Sequence, residues 1–201
     1  MAVVLAHLAE QVNHNRLMQD KIKEQEMNKN ILVTYASKYG ATREIALKIG
    51  EVLRQAGLQV DVFPVDGTLD ITPYRAIILG SAVYMGKWQN EAVEFLRSNE
   101  KILASRLVWL FSSGPTGEGD PVELVEGVRL PAALQPVADR IQPRDIAVFH
   151  GFINPDKINF IEKWSIKSLV KKPFGDFRDW DSITSWATGI AVALKETEHA
   201  L

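Results

Sequence analysis

Cysteine is absent from this chain. That excludes disulfides, thiolate metal sites, iron–sulfur clusters and cysteine nucleophiles, and it leaves a reducing cytoplasm as the default compartment. Neither sign of charge is in excess: 23 Lys and Arg against 25 Asp and Glu give a net charge of -2, which offers no reason to invoke nucleic acid. No apolar run approaches the ~20 residues of a membrane span. The two common nucleotide loops, G-x-x-x-x-G-K-[ST] and G-x-G-x-x-G, are also missing. Asp66, Asp70 and Asp120 are scattered without paired-carboxylate spacing, and His7, His14 and His199 lie in the tails, so no catalytic side chain and no metal ligand is named.

What is present is ordinary for a globular chain: 201 residues, 46% hydrophobic and 24% charged. That is enough for one α/β domain with a substantial core. Residues 1–26 stand apart as an N-terminal extension, either a helical arm (Leu5, Leu8 and Val12 keep helical spacing) or a start that is not native, with Met27 as the alternative. The domain proper is expected over 27–201.

The organising stretch is Ile31-Leu-Val-Thr-Tyr-Ala-Ser-Lys-Tyr-Gly-Ala-Thr42. An apolar run to Tyr35 reads as a buried parallel strand. A short loop follows, and a helix opens at Thr42 or Arg43. Hydroxyls and backbone N–H groups at a helix N-terminus suit an anion, and a phosphate best. Gly40 permits close approach, Ser37 and Thr42 offer hydroxyls, and Lys38 adds charge. An ordinary βα turn capped by Ser and Thr is the plain alternative.

The same grammar repeats along the chain. Ile45, Ile49, Val52, Leu53 and Ala56 share one helix face, and Gly57 ends that helix. Leu58–Val65 alternates like an edge strand, and Asp66–Pro73 is turn-rich. Ala76–Gly80 is the second apolar strand. It runs into an aromatic, glycine-punctuated loop, Ser81–Asn90, and a helix from Glu91 to Ser98. Leu107–Phe111 is the third, ending in Ser112–Gly119. Pro131 is placed at the first position of the next helix, Ile146–Phe149 is the last strand, and Asp181 or Ser182 caps the closing helix. Strands alternating with helices imply a parallel sheet covered on both faces. Ligands of such sheets sit at the carboxyl ends of the strands, where all three loops converge.

These residues carry a resemblance. Ser37-Lys-Tyr-Gly-Ala-Thr42, Leu79-Gly-Ser-Ala-Val-Tyr-Met-Gly-Lys-Trp88 and Gly175-Asp-Phe-Arg-Asp-Trp180 are similar to motifs of flavodoxin-like FMN proteins. The closest subgroup is that of the quinone-dependent protoporphyrinogen oxidases. The resemblance implies a three-layer α/β sandwich, a five-stranded parallel sheet of order 2-1-3-4-5 with helices on both faces. It implies FMN as cofactor, its phosphate at Ser37, Lys38, Tyr39, Gly40, Ala41 and Thr42. Backbone groups of Ser81, Ala82, Val83, Tyr84, Met85 and Gly86, and of Ser112, Ser113, Gly114 and Gly117, would meet the ring edge, with Tyr84 and Trp88 flanking it. It implies an oxidoreductase coupled to a quinone, with a porphyrinogen as the possible substrate of a heme-biosynthesis step. The segment after Ser113 departs from the subgroup, being acidic here through Glu118, Asp120, Glu123 and Glu126.

Two alternatives stand beside that reading: an electron carrier that docks on a redox partner and has no small substrate of its own, and a flavin-free interaction domain. A phosphoacceptor of this architecture needs an Asp where Gly80-Ser81 stands. Trp109 and Phe111 read as core, and His150 as a surface or hydrogen-bonded residue rather than a base. Lys163, Lys167 and Lys171 recur at helical spacing within 156–172, with Phe160 and Trp164 near them. This reads as a solvated covering helix or as a weak peripheral membrane contact at the inner face.

Overall fold

Apolar strands buried on both sides decide the architecture. The computed structural model describes residues 30–153 and 175–199, with Arg16 and Met18. The arm expected in 1–26, apart from Arg16 and Met18, and the lysine-bearing segment 156–172 lie outside the described residues.

Five parallel strands form the sheet: β1 (Asn30–Ala36), β2 (Val60–Pro64), β3 (Tyr74–Tyr84), β5 (Leu107–Ser113) and β6 (Asp145–Phe149). They lie in the order β2-β1-β3-β5-β6, the expected order once a short extra strand, β4 (Lys87–Trp88), is set aside. Parallel register runs from Ile31 opposite Ala76 to Ala36 opposite Ser81, and from Ala76 opposite Leu107 to Ala82 opposite Ser113.

The pleat of each strand divides the core. Ile31, Val33, Ile78, Trp109 and Phe111 point to one face, where α1 (Ala41–Gln55) and α5 (Trp180–His199) cover them. Leu32, Ile77, Leu79, Val108 and Leu110 point to the other, under α2 (Asn90–Ser98) and α4 (Gln135–Ile141). A one-turn helix, α3 (Glu100–Leu103), links α2 to β5. On the first face, Phe111, Phe149 and Trp186 pack edge to face or tilted, with ring centroids 5.5 to 6.0 Å apart. As expected, Trp109 and Phe111 are core residues.

Local expectations differ at four places. Ser81–Tyr84 is not loop: β3 continues through it and folds back on β4, with Val83 opposite Trp88 and Tyr84 opposite Lys87. Met85 and Gly86 form the two-residue turn, both at positive φ (51° and 74°), as a primed hairpin turn requires. Pro131 precedes a 3₁₀ turn, Ala132–Leu134, and Pro136 takes the first turn of α4. The cap of α5 is Asp179, not Asp181 or Ser182: its Oδ1 accepts the N–H groups of both, each at 3.0 Å. The helix at α1 starts at Ala41, one residue early.

Gly80 is where β3 and β5 meet on the first face. A Cβ there would clash with the Phe111 Cζ, and that ring is held by Phe149 and Trp186. Gly80→Ala is therefore expected to cost about 2–3 kcal/mol of stability, read as a shift of the urea midpoint at unchanged slope. An unchanged midpoint would mean that the aromatic cluster yields freely.

Candidate cofactor cleft

The strand ends deliver three loops to one edge of the sheet, and a cleft of about 600 Å³ opens between them. This is within the usual range for a small-molecule site.

One end is built for an anion. After β1 the chain turns through Ser37 to Gly40, and the Ser37 hydroxyl accepts the Gly40 N–H at 3.0 Å, closing the loop on itself. Gly40 sits at φ 98°, a left-handed conformation that side chains disfavour. As N-cap of α1 it brings no side chain to cap the helix. The first intrahelical bond in this turn runs from the Glu44 N–H to the Gly40 carbonyl. The N–H groups of Ala41, Thr42 and Arg43 thus have no carbonyl within the helix to bond. Ser37, Lys38, Tyr39, Ala41 and Thr42 line the cleft.

The Thr42 hydroxyl is fully buried and lies 3.2 Å from the Ser113 hydroxyl. This bond ties the anion loop to the end of β5. The Lys38 ammonium stands over the Tyr84 ring, 4.4 Å from its centre, and over the Tyr39 ring at 5.0 Å. It links the anion loop to the β3–β4 hairpin.

The other end is apolar. Ala82, Val83, Tyr84, Met85 and Gly86 form one wall, and Ser112, Ser113 and Gly114 the floor. The floor is tight. A Cβ on Gly114 would stand 3.0 Å from the Val83 carbonyl oxygen, and one on Gly151 would stand 3.1 Å from the Gly114 Cα. Three strand ends meet there backbone to backbone.

Four expected contacts are placed elsewhere. Trp88 does not flank the cleft: it is 3% exposed and its Nε1–H donates to the Ser112 hydroxyl at 2.9 Å. Ser112 in turn donates to the Arg129 carbonyl at 3.0 Å. Ser81 is buried beneath the hairpin, accepting the Gln89 N–H and donating to the Ala82 carbonyl, both at 3.0 Å. Gly40 shapes the loop without lining the cleft, and Gly117 lies beyond it. These hydroxyls and the indole look like ligand groups in sequence, yet they hold the walls in place.

The opposite wall had no signal in sequence. Val125, Val128, Arg129 and Pro131, from the irregular segment after β5, line the cleft, as does Phe152 on β7 (Phe152–Ile153). No periodicity marks that segment, because its backbone is held by turns and by bonds to distant strands. Its acidic residues Glu118, Asp120, Glu123 and Glu126 are all exposed. His150 is buried, and its Nε2 lies 2.9 Å from the Gly119 carbonyl and its Nδ1 3.4 Å from that of Pro115. It anchors the loop after β5, as a hydrogen-bonded histidine rather than a base.

Beyond the cleft wall, the Arg178 guanidinium holds the Asp176 carboxyl below the usual carboxylate range, chiefly by direct hydrogen bonding. Among the described residues, no group of three or more His, Cys, Asp or Glu side chains is placed to hold a metal. No helix among them is long and apolar enough to cross a membrane.

Comparison with known proteins agrees with this geometry. The flavodoxin-domain family profile matches residues 32–179. The protoporphyrinogen IX dehydrogenase [quinone] of Escherichia coli (strain K12) is 21% identical over 170 residues, 80% of this chain and 93% of that protein. Oxidised flavodoxin 2 from Bacillus cereus superposes with a TM-score of 0.53 at 21% identity, over 84% of this chain and 99% of that one. Rubredoxin oxygen:oxidoreductase from the anaerobe Desulfovibrio gigas gives 0.57 at 15% identity, over 89% of this chain but 39% of that larger one. FMN fits the cleft on its own terms: an uncapped helix N-terminus at one end suits a phosphate, and an apolar slot at the other suits a planar ring. FMN is the cofactor, the chemistry is that of a flavoprotein in electron transfer or oxidoreduction, and the chain belongs to the flavodoxin-domain family.

Proposed function

We propose that this protein is an FMN-dependent oxidoreductase that exchanges electrons with a quinone. The observation that carries the reading is the pairing of ends within one cleft: three helix N–H groups without helical partners, and an apolar slot walled by Tyr84 and Met85 on one side and Val125, Val128 and Pro131 on the other. In this reading Ser37 to Thr42 hold the phosphate, while Tyr84 and the backbone of 82–86 and 112–114 position the ring. FMN supplies the redox chemistry when bound. The chain's own groups bind and orient it. The buried bonds of Trp88 to Ser112 and of Thr42 to Ser113 keep the two loops from spreading and exclude water from the floor.

The quinone is favoured as partner by the breadth of the apolar wall and by the near full-length correspondence with a quinone-linked dehydrogenase. A porphyrinogen donor, which carries carboxylates, would approach past the exposed Glu118, Asp120, Glu123 and Glu126, whose charge opposes it. A carrier docking on a protein partner is the second reading. The net charge of only -2 argues mildly against it.

Titration with FMN, followed by quenching of flavin fluorescence, is expected to show binding that the Ser37→Ala, Thr42→Ala double variant weakens by about a hundredfold, the scale of losing two hydrogen bonds to a charged group. Equal affinity in both proteins would remove the phosphate from this loop. Reduced holoprotein mixed anaerobically with a water-soluble ubiquinone analogue is expected to reoxidise in a saturable fashion. A rate that rises linearly with quinone to the highest concentration used, together with fast electron transfer to a protein acceptor, would establish the carrier instead.

A further inference from the structure

Arg178 lies in the segment just before α5, and its side chain is 4% exposed although both its acidic partners stand about half open to solvent. Its Nη1–H donates to Glu44 at 2.7 Å, and its Nε–H and Nη2–H donate to the two Asp176 oxygens at 2.7 and 2.6 Å. Its guanidinium carbon lies over the Phe152 ring at 5.1 Å and the Trp180 ring at 4.6 Å. One planar cation therefore joins the first turn of α1, the two-stranded ribbon of β7 and β8 (Gly175–Asp176), and the start of α5. One of its contacts, Phe152, lines the cleft, and another, Glu44, follows the uncapped N–H groups directly in the same helical turn.

Glu44 poses an electrostatic difficulty. A carboxylate in the first turn suits the helix dipole, but it is a like charge beside the place where a phosphate binds. Glu44, Asp176 and Arg178 together carry a net charge of -1. Without the arginine they would carry -2, with the Glu44 charge in the same helical turn as the uncapped N–H groups. Arg43, the neighbouring cation on α1, is exposed and is screened by solvent.

We propose that Arg178 is a positioning residue for the phosphate end of the cleft, holding Glu44 and offsetting its charge so that the N-terminus of α1 accepts an anion. The proposal rests on the placement of the FMN phosphate at residues 37–42. It assigns to the Gly175–Trp180 segment a part in phosphate binding, although it lies far along the chain from the loop. A residue with this part acts on the phosphate alone, whereas one that merely pinned the ribbon would act on the ring through Phe152 as well.

The distinction is read by titrating the full-length, flavin-stripped protein with FMN and with riboflavin, which lacks the phosphate, and comparing the ratio of the two affinities. Charge alone sets the expected order. Glu44→Gln leaves the trio neutral and raises the preference for FMN. Arg178→Gln leaves -2 and lowers it by about fivefold, the upper range for a partly exposed ion pair, with riboflavin affinity changed less than about twofold. The Glu44→Gln, Arg178→Gln double variant returns to -1 and to a preference within about twofold of wild type. Equal losses of both flavins in Arg178→Gln, or no recovery in the double variant, would overturn the proposal. If Arg178→Gln does not fold, Glu44→Gln decides alone: an unchanged ratio overturns it. A wild-type protein that binds both flavins equally would instead overturn the phosphate placement, and this assignment with it.

Discussion

Close approach of three strand ends is the constraint on which the cleft depends. Val83, Gly114 and Gly151 come together so closely that a Cβ on either glycine would stand 3.0 to 3.1 Å from neighbouring backbone. The Gly114 N–H bonds the Phe149 carbonyl at 3.2 Å, and the Gly151 N–H bonds the Pro115 carbonyl at 2.8 Å. Because the sheet is parallel, every strand-to-helix loop emerges at this edge, and the narrow floor decides how far apart the loops stand. Behind the floor, Gly80 admits the Phe111 ring, so the same economy of side chains that sets the cleft also seats the core beneath it.

The polar groups around the floor follow from burial. A buried hydroxyl or indole N–H without a partner costs free energy, and those of Trp88, Ser112, Ser113 and Thr42 each have one. Trp88 donates to Ser112, Ser112 to the Arg129 carbonyl, and Ser113 meets Thr42. These bonds cross between elements far apart in sequence. They fix the hairpin, the anion loop and the irregular wall to one another, which leaves the ring site preorganised before a flavin enters. His150 does the same for the loop after β5 through the Gly119 carbonyl, 2.9 Å from its Nε2.

Charge is distributed with equal purpose along the cleft. The anion end relies on backbone N–H groups and the helix dipole, and its nearest lysine is engaged by the Tyr84 ring. The acidic residues of the α1 turn and of the ribbon are gathered on Arg178, whose side chain is shielded while they stand about half open to solvent. The remaining acids after β5 are exposed to solvent, and none of them lines the cleft.

The sequence by itself determined the layers and the glycine turn that opens α1, because those rest on short-range causes, whereas the strand order is implied by the family resemblance and is a matter of long-range pairing. Unbroken apolar runs such as Ile31–Tyr35 have to be buried on two faces, amphipathic stretches such as Ile45–Ala56 have to cover them, and a glycine at Gly40 permits the left-handed turn that opens a helix without a cap. It also located thirteen of the residues that line the cleft, from Ser37 to Gly114. Only the tertiary structure decided what the remaining polar and aromatic residues do. Trp88 and Ser81 read as ligand groups in a glycine-rich loop, yet the continuation of β3 through Tyr84 folds them under a hairpin. Val125, Val128 and Phe152 carry no local pattern, and Arg178 finds Glu44 across 134 residues of chain. Their roles are fixed by long-range packing, in which the cause of a residue's position lies in segments that no local window contains.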